Sequence, residues 1–359
     1  MHISTTPELL QLISQNAPVA IGVSGGKDSC AVAFATLEYL DSCGHTGQRV
    51  LIHSDLGRVE WKDSLPTCER LADALGLELM VVRRQAGDMM DRWLTRWRNN
   101  LARYAALECV KLILPWSTPS MRFCTSELKI DIICRALIKR FPGQCIISVN
   151  GIRRDESANR AKAPIARRQA KLHSTKHQTS GLDWHPILDC TIEDVFEYLA
   201  GKGFPLHQAY TLYHSSRVSC SFCILANASD LHASASCPDN HNIYRELVML
   251  EAASTFSFHS THWLADIAPQ LLDQSTRQLI ALAKDKARRR QQLEARIPPH
   301  LLYVKGWPIF VPTWNEAEII ANVRREIGEL LGMTVHYTTP AAIIDRHQEL
   351  MFMQDTRRR

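Results

Sequence analysis

The sequence predicts an α/β protein with a mostly parallel sheet in its first half and a mainly helical C-terminal region. Short β-branched runs alternate with helical segments up to residue 151, and such alternation implies βαβ units. The first run ends in a Gly-Gly turn that opens directly into a helical segment. The last hundred residues read as helices, interrupted by a Pro/aromatic stretch, IPPHLLYVKGWPIFVPTW (297–314).

PVAIGVS (18–24) is the first strand and KDSCAVAFATLEYL (27–40) the helix after it. RVLIHSD (49–55) is the second strand, EWKDSLPTCERLADALG (60–76) its helix, and LELMVVR (77–83) the third strand. A basic stretch with two tryptophans follows, DRWLTRWRNNLARYAALECV (91–110). Helix 126–141 places Leu128, Ile132, Ile133, Ala136 and Leu137 on one face, a core stripe. QCIISVNG (144–151) is the last strand of the series, and IEDVFEYLAGKG (192–203) an amphipathic helix ending in Gly.

The 359 residues are 45 % hydrophobic and 22 % charged, with 16 Gly and 16 Pro. That balance is globular and excludes collagen-like, low-complexity and wholly disordered chains. No run approaches 18 uninterrupted apolar residues, so no membrane span is expected. The N-terminus lacks a basic region followed by an apolar core, and a cytoplasmic protein is expected. Eleven cysteines then read as buried thiols, metal ligands or redox groups rather than disulfides. The reading divides the chain into an α/β domain, 1–215, and a cysteine-cluster and helical region, 216–359. Segment 152–177 holds eight Lys/Arg and two Asp/Glu, and its net of +6 exceeds the +5 of the whole chain. It reads as a mobile basic loop.

SGGKDS (24–29) lies between a strand and a helix. Two glycines let the backbone approach an anion, and a helix N-terminus offers unpaired N–H groups and a positive dipole end. Ser24 and Ser29 add hydroxyls and Lys27 a charge. The Walker A pattern is absent.

In this setting SGGKDS resembles the PP-loop of ATP pyrophosphatases, which cleave ATP to AMP and pyrophosphate. HSDLGRVEW (53–61), with Asp55, resembles that family's nucleotide-contacting segment. RFCTSELK (122–129), GIRRDESANR (151–160), HPILDCTIEDVFEYL (185–199) and SRVSCSFC (216–223) resemble its phosphoadenosine phosphosulfate reductase branch. The resemblance spans about residues 15–230 in order. It implies a PP-loop (adenine nucleotide alpha hydrolase-like) core that binds ATP with Mg2+ through Ser24, Gly25, Gly26, Lys27, Asp28, Ser29, Asp55 and Gly151. Lys27, Asp28, Arg153, Arg154 and Arg160 are the candidate catalytic residues around the phosphates, since Arg suits bidentate phosphate contacts. Asp155 and Glu156 would orient the arginines or bind magnesium.

Two departures separate the chain from true sulfonucleotide reductases: Cys124-Thr125 stands where cluster-containing members have a double cysteine, and no cysteine follows Cys237. The pattern is closer to the ATP pyrophosphatase component of bacterial DNA phosphorothioation systems. That resemblance implies nucleic acid, DNA foremost, as acceptor. It also implies a cysteine desulfurase and other modification-system subunits as partners. A sulfonucleotide reductase, a tRNA-thiolating enzyme and a non-catalytic nucleic-acid-binding regulator are the alternatives.

Cys220-x-x-Cys223 is half of a metal site, and Cys124 and Cys237 complete it. Four thiolates are what an iron–sulfur cluster requires. The resemblance supports Cys124, Cys220 and Cys223 as ligands of a 4Fe-4S cluster, and Cys237 enters on proximity alone. Structural zinc using His232, Cys237 or His241 is the alternative. Trp93 and Trp97 sit four apart among Arg92, Arg96 and Arg98. They could stack bases, although core packing is the commoner role. KDKARRR (284–290) and the RRR tail (357–359) add further basic groups.

Overall fold

A computed structural model describes residues 1–358. Arg359, with the side chains of Asp355, Arg357 and Arg358, lies outside what is described, and with them the basic-tail reading. The chain forms two compact units, one of residues 1–90 and 117–243, the other of 91–116 and 244–359. The later division thus falls after Ile243, where the sequence reading puts it at 215, and the stretch 91–116 groups with the helices.

The first unit carries a six-stranded sheet: β1 (Val19–Gly22), β2 (Arg49–Asp55), β3 (Glu78–Arg83), β4 (Cys145–Val149), β5 (Ala166–Arg168) and β6 (Ser180–Trp184). Their order is β3-β2-β1-β4-β6-β5, and every pairing is parallel except β5 with β6. Period-2 alternation feeds two cores. Val19, Ile21, Leu51, Ile147 and Val149 pack on one face with α1 (Pro7–Ser14), α2 (Lys27–Ser42) and α3 (Ser64–Leu75). Ala20, Val50, Ile52 and Ile146 face the other way with Cys134, Leu137 and Phe141. Both faces are covered, which is why these strands read as near-continuous apolar runs.

Helix α4 (Met89–Ala105) follows β3, and a π turn, Ser126–Ile130, precedes α5 (Asp131–Arg140). Leu128 and Leu137 are fully buried, with Ile133 and Ala136 packed against that core. Helix α6 (Ile192–Lys202) opens with a capping box between Thr191 and Asp194 and stops at Gly203, whose φ of 62° is left-handed.

Segment 152–177 is not a mobile loop. It forms β5, a helical turn at Ala158–Ala161 and two 3₁₀ turns, and Ala166 pairs with Trp184 across the antiparallel ladder. Five of its cations are answered by carboxylates: Arg153 by Asp28 and Asp155, Arg154 by Asp189, Arg160 by Glu156, Arg167 by Asp183 and Lys171 by Asp131.

The second unit is helical: α7 (Ala228–Ser236) lies before it in the chain, α8 (His241–Ser254) runs into it, and α9 (Gln274–Glu294), α10 (Trp314–Leu331) and α11 (Pro340–Arg358) follow. Trp93 and Trp97 are core residues here. Trp93 meets Trp116 and Phe258 edge to face at 5.5 and 5.9 Å, and Trp97 meets Phe256 at 6.3 Å. No helix among the described residues is long and apolar enough to cross a membrane.

Candidate functional site

The strand order reverses about β1, with β2 on one side and β4 on the other. Ligands of open α/β sheets bind at the carboxyl ends of strands beside such a switch point. The three segments that leave these ends are 23–29, 55–61 and 150–156, and they build the site.

Gly25 has φ +74°, and a Cβ there would lie 2.9 Å from the Ser64 carbonyl oxygen, so only glycine fits. Gly26 caps α2 without any side-chain hydrogen bond. Ser29 Oγ donates to Gly26 O at 2.8 Å and accepts from Ser24 N–H at 3.2 Å, closing the turn. The amides of Asp28 and Ser29 have no partner among the described residues, as first-turn helix amides lack one. They are aimed as an anion cradle.

Lys27 is buried, with Nζ 3.0 Å from Asp28 Oδ2 and near the rings of Phe196 and Tyr210 at 5.7 and 5.8 Å. Asp28 Oδ1 accepts from Arg153 Nε at 2.8 Å. Burial disfavours the Arg153 charge, but Asp28 and then Asp155 outweigh it and raise its pKa above the ordinary value. Gly151 makes this approach possible, since a Cβ there would stand 2.6 Å from the Asp28 carbonyl oxygen. Lys27, Asp28, Arg153 and Gly151 thus meet at one point.

The other candidates have partners of their own. Asp55 accepts from Gly57 N–H at 2.7 Å and pairs with Arg83 at 2.8 Å. Arg154 is anchored on Asp189 at 2.6 Å and on the carbonyls of Ala161 and Ala163, both at 2.8 Å. Arg160 pairs with Glu156, whose carboxylate also accepts from Arg153 N–H at 2.8 Å.

Three residues around the loop were not singled out individually by the sequence reading. His53 Nδ1 stands 3.0 Å from Val23 O and Nε2 3.2 Å from Glu60 Oε2. Burial opposes a charged ring, but Cys68 and Glu60 push its pKa up to about 10. With an acceptor at each nitrogen, both carry protons. His207 is the opposite case: burial lowers its pKa to about 4. Its Nδ1 accepts from Ala209 N–H at 2.9 Å, so Nε2 carries the proton and donates to Ser64 Oγ at 3.3 Å. The hydroxyl of Tyr210, the third, accepts from Lys27 N–H at 3.2 Å.

Cys124, Cys220 and Cys223 lie close enough to act on one another electrostatically. Burial first, then Cys223, Glu60 and Cys124 push the Cys220 thiol up to about 12, against the opposing charge of Lys129. Leu225 N–H donates to Cys223 Sγ at 3.5 Å. Among the described residues no three His, Cys, Asp or Glu side chains converge to hold a metal ion. In donor type, three thiols with an amide donor and a nearby lysine suit a soft metal. Cys237 sits in an apolar cluster with Trp61 and Ala209, bonded to Tyr213, with Val218 packed against it.

Residues 18–225 match the phosphoadenosine phosphosulfate reductase domain family. No curated protein sequence matches the chain. Among solved structures, a phosphoadenylyl-sulfate reductase from Candida auris in complex with phosphate is similar at 12 % identity, over 61 % of this chain and 98 % of that one, with a TM-score of 0.36. The U34-tRNA thiolase NcsA from Methanococcus maripaludis, with its 4Fe-4S cluster, is similar at 15 % identity, over 74 % of this chain and 88 % of that one, with a TM-score of 0.35.

Proposed function

The chain belongs to the phosphoadenosine phosphosulfate reductase domain family, and from that membership we propose an AMP-forming ATP pyrophosphatase that adenylylates a nucleic-acid backbone phosphate, DNA foremost, for sulfur insertion. The observation that carries the reading is Asp28, held between Lys27 and Arg153 at the uncapped N-terminus of α2. A triphosphate on the loop amides would add negative charge beside both cations and compete with Asp28 for them. Electrostatic stabilisation of the departing pyrophosphate follows from cations already in place.

In the proposed reaction a non-bridging oxygen of the acceptor attacks the α-phosphorus of ATP. The bond from that phosphorus to the bridging oxygen breaks, and its electron pair leaves with pyrophosphate. A hydrosulfide, released from a desulfurase persulfide by two-electron reduction with a thiol, then attacks the acceptor phosphorus, and AMP departs with the original oxygen. Lys27 and Arg153 would face the phosphates, and Ser24 and Ser29 would hold the loop closed. Magnesium, when bound with the triphosphate, supplies charge against the leaving group, and Asp28 and Asp155 are the carboxylates at hand. Cys124, Cys220 and Cys223 would supply three of the four ligands of a 4Fe-4S cluster, or of zinc in its place, and a cluster supplies a soft, sulfur-rich centre. A cysteine desulfurase would supply the sulfur, in the cytoplasm.

Incubation of anaerobically purified protein with α-labelled ATP and DNA, tRNA or no polymer tests the reading. AMP and pyrophosphate formation stimulated by DNA is the expected result. Stimulation by tRNA alone would move the acceptor, and no AMP under any condition would reject the pyrophosphatase.

A further inference from the structure

Nearly two hundred positions separate the phosphate loop from the Cys220–Cys223 pair, yet one side chain touches both segments. Tyr210 lies in the helical turn Gln208–Thr211. Its hydroxyl accepts from Lys27 N–H, in the loop, at 3.2 Å and from Val218 N–H, two residues before Cys220, also at 3.2 Å. The ring is fixed edge to face on Phe196 at 6.1 Å, with Lys27 Nζ 5.8 Å from its centre. There is little slack between the segments, because Val218 Cβ would lie 3.4 Å from a Cβ built on Gly26. A phenol oxygen has two lone pairs and one proton. Two amides use the lone pairs, and the proton has no acceptor among the described residues. Burial raises the Tyr210 pKa, so the proton stays on at neutral pH and is free for an anionic oxygen over the loop.

We propose that Tyr210 is a positioning residue that couples phosphate occupancy of residues 24–29 to the conformation of residues 218–223. A phosphate oxygen that accepts the Tyr210 proton polarises the hydroxyl, and its two amide bonds strengthen together. The cysteine segment is then ordered when nucleotide is present and looser when it is not. The coupling rests on the reading of the loop as a nucleotide site.

Hydrogen–deuterium exchange of the full chain, with and without α,β-methylene-ATP and magnesium, reads both segments at once. In the wild type the analogue should slow exchange of peptides covering 24–29 and 216–223 together, by about threefold or more. Tyr210→Phe keeps the ring and removes only the hydroxyl. It loses one donor to the phosphate and the acceptor of two amides, so it should bind the analogue about threefold to tenfold more weakly and melt a few degrees lower, and its exchange is read with the analogue at saturation. Its loop should still be protected, while 216–223 no longer responds. Val218→Pro deletes the donor from the other side and should uncouple the segments in the same way. An equal response of 216–223 in Tyr210→Phe overturns the coupling, as does a wild-type loop that responds while 216–223 does not. If the wild type fails to bind the analogue at all, the nucleotide reading itself falls and takes the coupling with it.

Discussion

Arg153 in the first unit and Arg324 in the second are both buried, at 3 % and 0 % exposure, but they are answered differently. Arg153 meets the carboxylates of Asp28 and Asp155. Arg324 meets no carboxylate among the described residues. It donates to the carbonyls of Tyr104 at 2.7 Å, Ala105 at 3.0 Å, His336 at 2.6 Å and Tyr337 at 3.3 Å, with its guanidinium over the Tyr104 ring at 4.8 Å. Their pKa values move in opposite directions. Burial lowers that of Arg324, whereas carboxylates overcome burial at Arg153 and raise it. Backbone carbonyls cannot leave, so Arg324 is a fixed strut that ties 104–105 to 336–337. A carboxylate can be displaced by another anion, so Arg153 can change partners when a phosphate arrives. The same residue type serves architecture in one unit and a site in the other.

The largest effect should come from the strut. Arg324→Met removes four hydrogen bonds from a fully buried guanidinium and, at about 1 kcal/mol each, should destabilise the second unit by about 4 kcal/mol, read by denaturant unfolding. A loss below about 1 kcal/mol would show that water replaces the guanidinium and the contrast is false. Asp28→Ala should act on chemistry instead. AMP formation should fall roughly 100-fold with the fold retained by circular dichroism, and Ser29→Ala should fall with it through loss of the closed turn. Normal ATP turnover in both variants would remove the loop from the site.

His53 tests the middle of the comparison, because its ring faces one carbonyl, Val23, and one carboxylate, Glu60. Its folded pKa of about 10 lies above the ordinary 6.5, so the folded chain holds a proton that the unfolded chain releases. The stabilisation is whole below pH 6.5 and is lost as pH rises through about 10. His53→Gln should therefore lose at least about 1 kcal/mol near pH 7 and show a flatter stability profile over that window. An identical profile in the variant would mean the ring is neutral.

The βαβ half was legible because its apolar period is clean: Val19, Ile21, Leu51 and Ile147 alternate with Ala20, Val50 and Ile146 as the two faces require. β6 was not, because SGLDW carries a glycine and a buried aspartate. Gly181 is there because a Cβ would stand 2.6 Å from Ile146 O, and Asp183 is matched by Arg167 and Gln169 at 3.1 and 2.8 Å. The phosphate loop was legible from a local hexapeptide. His53, His207 and Tyr210 were not, since their bonds to Val23, Ser64 and Lys27 span 30, 143 and 183 positions, a distance no spacing rule covers. The bond of Arg154 to Asp189, 35 positions away, was hidden for the same reason.

The smallest effect concerns the basic segment, where the comparison sharpens to cations with and without carboxylates. Lys162, Arg168 and Lys176 are exposed and pair with no carboxylate among the described residues. Arg167 and Lys171 pair with Asp183 and Asp131. An unpaired surface cation can neutralise a DNA phosphate directly, whereas a paired one must first leave its aspartate. Replacing Lys162, Arg168 and Lys176 together with Gln removes up to three phosphate contacts. The slope of log affinity against log salt for duplex DNA should flatten by up to about 2.7, at roughly 0.9 per contact. Arg167→Gln with Lys171→Gln should flatten it by less than half as much per residue, and sequence preference should hold in both, since phosphate contacts do not read bases. ATP cleavage without polymer should be unchanged, because none of the five touches residues 24–29. Equal flattening per residue in the two sets would mean that the ion pairs seen here exchange freely, and that at a surface a carboxylate partner does not decide which cations are free to bind phosphate.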